Sequence, residues 1–303
     1  MPTEKYKNVI IGSGEGGKTL AWHLAQSGQQ TIVVDRRWIG GSCPNVNCLP
    51  SKNEIWSAKV ANLVHHANQF GIKTGPTAID MTAVRKRKRE MVDGLIATHL
   101  QRYKQTGAEL IMGEAKFTDR TTLEVNLNEG GTRTLIGERI FLNLGTHASI
   151  PPVPGLAECK PLTHIEVLEL DRLPDHLIVI GGGYVGLEFA QAYRRFGSRV
   201  TVIQHGLQLL ANQDPDIAAE ILRIFSAEGI DVIAPADILR ADGCSGTAVT
   251  LLVRTPVGEK LIAASDILVA TGRTPNTSGM GLEIAGVELN ANQFIHVNDR
   301  LET

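Results

Sequence analysis

Asn8-Val9-Ile10-Ile11-Gly12-Ser13-Gly14-Glu15-Gly16-Gly17 is a short apolar run that ends in a cluster of glycines. Leu177-Ile178-Val179-Ile180-Gly181-Gly182-Gly183-Tyr184-Val185-Gly186 repeats it in the second half of the chain. A brief apolar run bounded by glycine reads as a strand buried on both faces. Both clusters fit G-x-G-x-x-G at the start of a helix. The likeness continues past the glycines. Gly28 and Gly197 each stand 16 positions beyond the first glycine, where a helix needs a C-terminal stop. A second apolar strand follows each, Thr31-Ile32-Val33-Val34 and Val200-Thr201-Val202-Ile203. Each ends in a polar residue 23 positions beyond the first glycine, Asp35 and Gln204. One such cluster is weak evidence, because glycine-rich turns are common. Two copies in step over a whole strand–helix–strand unit are strong evidence.

The repeat predicts two dinucleotide-binding βαβ units. The first glycine (Gly12, Gly181) permits a tight turn, and the second (Gly14, Gly183) lets backbone approach a pyrophosphate. The third (Gly17, Gly186) lets helix and strand pack closely. The helix N-terminus then presents unpaired N–H groups and its positive dipole end to the phosphates. Asp35 is placed to accept hydrogen bonds from a ribose hydroxyl.

Between the units, residues 53–106 read as mainly helical, and 110–142 as an antiparallel meander turning at Asn128-Glu129-Gly130-Gly131. Ser149-Ile150-Pro151-Pro152-Val153-Pro154-Gly155 is an extended connector and hence a domain boundary. Residues 230–269 are again strand-rich. The fold class is therefore α/β, with two Rossmann-like dinucleotide-binding domains, each carrying a parallel sheet and an antiparallel β-meander. The first spans 1–148 and is completed by 278–303; the second spans 149–277.

A chain of 303 residues suits two domains. Hydrophobic residues at 43% and charged residues at 20% are ordinary globular values, and a formal net charge of −2 gives no case for nucleic acid or an anionic membrane. No apolar stretch is long enough to span a bilayer. Met1–Lys7 is polar, leads straight into a strand, and lacks the features of a secretion signal. The expected location is cytoplasmic. The basic run Arg85-Lys86-Arg87-Lys88-Arg89 has no interleaved aromatics and spreads around a helix axis, so it reads as a solvated helix.

Only four cysteines occur: Cys43, Cys48, Cys159 and Cys244. In a reducing compartment a close pair is more often redox-active or metal-binding than structural. The spacing C-x4-C differs from the C-x2-C of most zinc sites, and no second pair lies nearby, so no metal is expected. Coiled as a helical turn, Cys43 and Cys48 can meet and form a local, reducible disulfide. The spacing favours redox chemistry over structural thiols only modestly. The position of the pair, just after the first βαβ strand, favours it more. Cys159 and Cys244 read as packing or surface thiols.

Gly40-Gly41-Ser42-Cys43-Pro44-Asn45-Val46-Asn47-Cys48-Leu49-Pro50-Ser51-Lys52 resembles the redox-active signature of the class I pyridine nucleotide–disulfide oxidoreductases. That family includes glutathione reductase, dihydrolipoamide dehydrogenase and mercuric reductase. The second glycine cluster and Ala270-Thr271-Gly272-Arg273-Thr274-Pro275-Asn276 resemble it too, in the family's order. The resemblance implies that the first unit binds FAD through Gly12, Gly14, Gly17 and Asp35. It implies that the second binds the nicotinamide cofactor through Gly181, Gly183, Tyr184, Gly186, Gln204, Gly272 and Arg273. Electrons would pass from NAD(P)H through FAD to the Cys43–Cys48 disulfide, and on to a small disulfide or a thiol-bound metal ion. Mercuric reductase-like enzymes are the nearest in pattern, with a dihydrolipoamide dehydrogenase-like enzyme as the alternative. By resemblance, Cys48 faces the flavin as a thiolate and Cys43 attacks substrate. Lys52 lies near the flavin's reactive nitrogen, Glu188 pairs with it, and Tyr184 gates the nicotinamide site.

The sequence also departs from that pattern. Gln204-His205-Gly206 carries neither the acidic residue that favours NADH nor the arginines that favour NADPH. A neutral Gln204 removes repulsion of a 2′-phosphate and His205 lies beside it, which favours NADPH. Asn47 replaces a glycine, and Asn tolerates left-handed backbone. Pro44 suits a first helical turn. Asn143-Leu144-Gly145-Thr146-His147 stands where the family commonly has Ala-Thr-Gly-Ser, and His147 reads as an exposed loop histidine. The family's second FAD segment and its C-terminal interface domain, which supplies dimer contacts and a His–Glu pair, find no match up to Thr303. The expectation is a shortened form of a homodimeric parent. The other class of reading is a catalytically incomplete dinucleotide-binding fragment or redox sensor.

Overall fold

The computed structural model describes residues 3–303. Contacts divide the chain into two units. One comprises 1–49, 91–147 and 274–303, and the other 50–90 and 148–273.

In the first unit the apolar run becomes β1 (Thr3–Ile11), followed by α1 (Glu15–Gln26) and β2 (Thr31–Asp35). Then come α2 (Ser42–Val46) and α3 (Cys48–His65), the latter running on into the second unit's segment. α4 (Met81–Thr106) leads into β3 (Glu109–Asp119), β4 (Thr122–Leu127) and β5 (Thr132–Leu142). β1 pairs in parallel with both β2 and β5, and β2 with β3. β3 pairs with β2 over Glu109–Met112 and then antiparallel with β4 from Gly113 onward. β4 pairs with the first half of β5, which closes the ring β1-β2-β3-β4-β5. Parallel sheet and meander are thus one continuous surface here, because β3 and β5 are each 11 residues long and belong to both. Its core holds Val9, Ile11, Ile32, Val34, Leu123, Val125, Leu135 and, from the C-terminal segment, Leu282.

After β6 (Thr146–Ala148), the second unit forms β7 (His176–Ile180), α5 (Tyr184–Phe196), β8 (Arg199–Ile203), α6 (Pro215–Ala227) and β9 (Asp231–Ile233). The meander β10 (Asp237–Cys244), β11 (Ala248–Thr255) and β12 (Gly258–Ala264) precedes β13 (Asp266–Val269) and β14 (Arg273–Pro275). The parallel sheet has the order β13-β7-β8-β9, and the meander is a separate three-stranded sheet. α5 buries Leu187, Phe189, Ala190, Tyr193 and Phe196 on the face set by the helical repeat. Burying each large apolar side chain contributes roughly 1.5–3 kcal/mol.

Residues 50–90 were read from sequence as part of the first domain, but they pack on the second unit. Ala58, Ala61 and Met81 lie in one core with Val167, Leu168, Phe189 and Tyr193. The basic run is the polar half of that packing. Lys88 is 1% exposed and donates to Glu169 Oε1 at 2.9 Å. Arg89 also binds Glu169, and Arg85 reaches Asp171 at 3.0 Å. Two of these five cations are therefore half-buried or buried anchors (Arg85, Lys88) rather than solvated charges. Among the described residues no helix is long and apolar enough to cross a membrane, and no group of three or more His, Cys, Asp or Glu side chains is placed to hold a metal ion.

Beside Lys88 lies Glu54, 2% exposed, with its Oε1 lacking a protein partner. Burial pushes its carboxyl up to about 7, although Lys88 and Tyr193 pull the other way. A raised folded value leaves stability untouched below the ordinary carboxyl range; the destabilisation builds as pH rises from that range to about 7 and is constant above it. The full penalty is roughly 3 kcal/mol. Glu54→Gln is therefore expected to unfold later in denaturant than the wild type at pH 8, with the gap shrinking by more than half at pH 5. A gap equal at both pH values would contradict the burial of an ionisable carboxyl.

Candidate functional site

The two glycine loops match bond for bond. Gly12 N–H donates to Val34 O at 2.8 Å, and Gly181 N–H to Ile203 O at 2.9 Å. Asn143 N–H donates to Ile11 O and Ala270 N–H to Ile180 O, each at 2.8 Å. Gly12 has φ +99° and Gly181 φ +108°, which glycine tolerates freely. A Cβ on Gly17 would stand 2.0 Å from Gly12 O, and one on Gly186 2.2 Å from Gly181 O. The third glycine of each motif is thus fixed by helix-to-loop packing. A Cβ on Gly183 would meet nothing within 4 Å, so the second glycine of that loop faces open space at the N-terminus of α5.

The residue 23 positions on braces each loop. Asp35 Oδ2 accepts from Ser13 N–H and Ser13 Oγ–H, both at 2.7 Å. Its Oδ1 accepts from the N–H groups of Arg37 and Trp38, both at 2.9 Å. A carboxylate has about four acceptor positions, and these donors occupy them. A ribose hydroxyl would have to replace one of them. In the second unit Gln204 Oε1 accepts from Gly182 N–H at 2.8 Å. Sequence spacing marked both residues but not this shared role. Asn143 gave no sequence signal beyond its departure from the family pattern. Its Nδ2 donates to Gly12 O at 3.2 Å and lies 2.9 Å from where a Cβ on Gly14 would stand.

The cysteine segment begins on the first loop. Gly41 has φ +80°, and a Cβ there would lie 2.4 Å from Gly14 Cα. Asn45 Nδ2 donates to Gly41 O at 2.7 Å and to Ile39 O at 2.9 Å, which holds the turn into α2. Asn47 separates α2 from α3 at φ −138°, so it does not use the left-handed region expected of it. Cys43 and Cys48 are both thiols, within hydrogen-bond reach of each other. Cys48 is the first residue of the 18-residue α3, at the positive end of its dipole. Burial pushes the Cys43 thiol up to about 11, with the hydrogen bond to Cys48 adding to it.

Cys43, but not Cys48, lines a cavity of about 540 Å³ with Glu15, Lys18, Trp22, His99 and Arg102. Lys18 is buried, paired with Glu15 at 2.7 Å and donating to Gly40 O at 3.3 Å. Trp22 Nε1 and His99 Nδ1 are buried without a protein partner. Burial, with Lys18 nearby, holds His99 below the usual histidine range. Nothing in the sequence separated Glu15, Lys18 or His99 from ordinary helix residues.

Lys52, one turn after Cys48 on α3, places its Nζ 2.5 Å from Glu188 Oε2. Both side chains are largely exposed, so the pair fixes position more than stability. A second cavity, of about 770 Å³, is lined by Gly181, Gly183, Tyr184, Gln204, Gly272 and Arg273, all singled out in the sequence, and by Gly182 between them. Gly186 is buried beneath it. The cavity also takes His164, His205 and Asp237, which were not counted as site residues. His164 lies 3.5 Å from Arg273 and is held down at about 4, by burial first and then by Arg273. His147 is exposed and bonded to Asn276 at 2.8 Å.

Two braced glycine loops, one with a cysteine pair built onto it, define a scaffold of two Rossmann-like α/β units. The chain belongs to the pyridine nucleotide-disulphide oxidoreductase family, whose model matches residues 6–303. It is 36% identical over 303 residues to a mercuric reductase of Streptomyces lividans, covering 98% of this chain and 63% of that protein. It is 33% identical to the probable pyridine nucleotide-disulfide oxidoreductase RclA of Escherichia coli strain K12, covering 99% and 64%. The solved Cu(II) complex of the HOCl-induced flavoprotein disulfide reductase RclA from Escherichia coli superposes with a TM-score of 0.86 at 31% identity, covering 99% of this chain and 64% of that one. The chain therefore spans less than two thirds of the length of these relatives.

Gly41→Ala combines left-handed backbone with a clash against Gly14, whereas Gly28, at φ +77°, has nothing within 4 Å of its Cβ position. Left-handed strain alone costs of order 1–3 kcal/mol. Denaturant unfolding is expected to show a larger loss for Gly41→Ala than for Gly28→Ala. Equal losses would mean that the cysteine segment does not rest on the loop.

Proposed function

We propose that this chain is the FAD- and nicotinamide-binding part of a flavoprotein disulfide reductase. The carrying observation is that the cysteine pair starts on the first glycine loop, with Gly41 against Gly14 and with Cys43 and Cys48 within bonding reach. FAD is assigned to the first loop, at the N-terminus of α1, by the family's pattern of glycines, with Asn143 lying against Gly14 there. A nicotinamide dinucleotide fits the second, where Gly183 opens onto the larger cavity. When bound, these groups supply a hydride donor and a two-electron carrier.

The chain's own residues then perform thiol–disulfide exchange. Two electrons and two protons convert the Cys43–Cys48 disulfide to the dithiol. Cys43 attacks one sulfur of a substrate disulfide, forming a mixed disulfide and releasing the other half as a thiol. Cys48 then attacks Cys43, which re-forms the internal disulfide and releases the second thiol. Cys43 lines a cavity that Cys48 does not, which supports this division of labour even though Cys48 is the more exposed of the two. A metal ion held by the thiols is the other substrate class, by analogy with the mercuric reductases the chain resembles. Lys52, held by Glu188, places a cation one turn from Cys48, which would offset negative charge on a flavin bound beside it.

A visible spectrum of the purified chain tests this reading. Bound flavin and a long-wavelength absorbance band on two-electron reduction are expected, with the band lost in Cys48→Ser. A band unchanged in that variant would remove Cys48 from its role. Colourless protein that binds NAD(P)H would favour a dinucleotide-binding fragment.

A further inference from the structure

The adenosine end of the second cavity carries a carboxylate that spacing did not reveal. In a βαβ unit the pyrophosphate sits at the helix N-terminus and the adenosine ribose at the end of the second strand. Here that end is Gln204, directly after β8, with His205 and Gly206. Gln204 is already committed. Its Oε1 takes the Gly182 N–H at 2.8 Å, and its Nε2 lies 3.1 Å from where a Cβ on Gly206 would stand. Its oxygen braces the loop, which leaves only neutral amide N–H donors for a 2′-substituent.

Asp237, the first residue of β10, enters the same end of the cavity from a different sheet. Its Oδ1 lies 2.8 Å from His205 Nδ1, and its Oδ2 lies 3.7 Å from an Arg254 guanidinium nitrogen. The two nearby groups able to carry positive charge are thus both turned onto this carboxylate. His205 was expected to approach a 2′-phosphate, but its inner ring nitrogen is already held by Asp237. The remaining cation lining the cavity, Arg273, lies beside His164 rather than at this end.

We infer that Asp237 is the residue that sets nicotinamide cofactor choice, and that it selects NADH over NADPH. This rests on the second cavity being the nicotinamide-dinucleotide site. The carboxylate can accept a hydrogen bond from a ribose 2′-hydroxyl. A 2′-phosphate would bring like charge against it, which disfavours the complex by repulsion. Holding His205 and Arg254 removes the two groups that would otherwise receive the phosphate. The choice therefore differs from the NADPH preference that the neutral Gln204 suggested, because the deciding charge comes from β10 and not from the strand end.

Calorimetric titration of the whole chain with NAD+ and NADP+ decides it. The wild type is expected to bind NAD+ at least about tenfold more tightly, a gap of ~1.4 kcal/mol. Asp237→Asn removes the charge, keeps the shape and releases both cations, so NADP+ affinity is expected to rise about tenfold or more relative to NAD+, whose own binding weakens as the carboxylate acceptor is lost. Equal or tighter NADP+ binding by the wild type, or an unchanged ratio in Asp237→Asn, overturns the inference. Failure of the wild type to bind either dinucleotide overturns the reading of the cavity itself, and the inference with it.

Discussion

The close approach of Gly41 to Gly14 is the constraint on which the cysteine chemistry depends. A side chain on Gly41 would push the two backbones apart, because a Cβ there would stand 2.4 Å from Gly14 Cα. That contact starts α2 beside the first glycine loop. The five residues of α2 and the single Asn47 then deliver Cys48 to the head of α3. The pair meets because of where the segment starts and how short it is. The buried Lys18 reinforces the same junction, tying α1 to the backbone at Gly40.

Each loop is held by a side chain from the end of its second strand, and the chemistry of that brace differs. Asp35 organises four donors with one carboxylate, so the first loop is heavily cross-linked. Gln204 makes a single such bond to Gly182, and the small Ala270 stands where Asn143 covers the first loop. The second loop is the more open of the two, with Gly183 facing the larger cavity. Charge-assisted hydrogen bonds are about twice as strong as neutral ones. The difference in brace matches the difference in openness.

Much of this was legible in the sequence, for physical reasons. Parallel strands buried on both faces announce themselves as apolar runs, and tight backbone contacts demand glycine, so the repeat stood out at Gly12 and Gly181. The proximity of Lys52 to Glu188 followed from family resemblance, not from spacing, since 136 residues separate them. What stayed hidden depended on partners from distant segments. Lys88 sits in a run of five basic residues that looks solvated until Glu169 is brought over it. Ala58, Ala61 and Met81 do not declare which unit they pack on. Asp237 looks like an ordinary strand-edge acid, and only the fold brings it to His205. The continuity of meander and parallel sheet was also unreadable, because strand length alone does not show that β3 passes from β2 to β4 or that the first half of β5 pairs with both β1 and β4.

The central claim is that electrons reach this cysteine pair and no other thiols. An anaerobic titration tests it directly. The oxidised, flavin-loaded chain is treated with one equivalent of reduced nicotinamide cofactor, and new thiols are located by alkylation and peptide mapping. The account expects two new thiols per cofactor oxidised, at Cys43 and Cys48, with Cys159 and Cys244 unchanged in state. Oxidation of the cofactor with Cys43 and Cys48 still joined would contradict it.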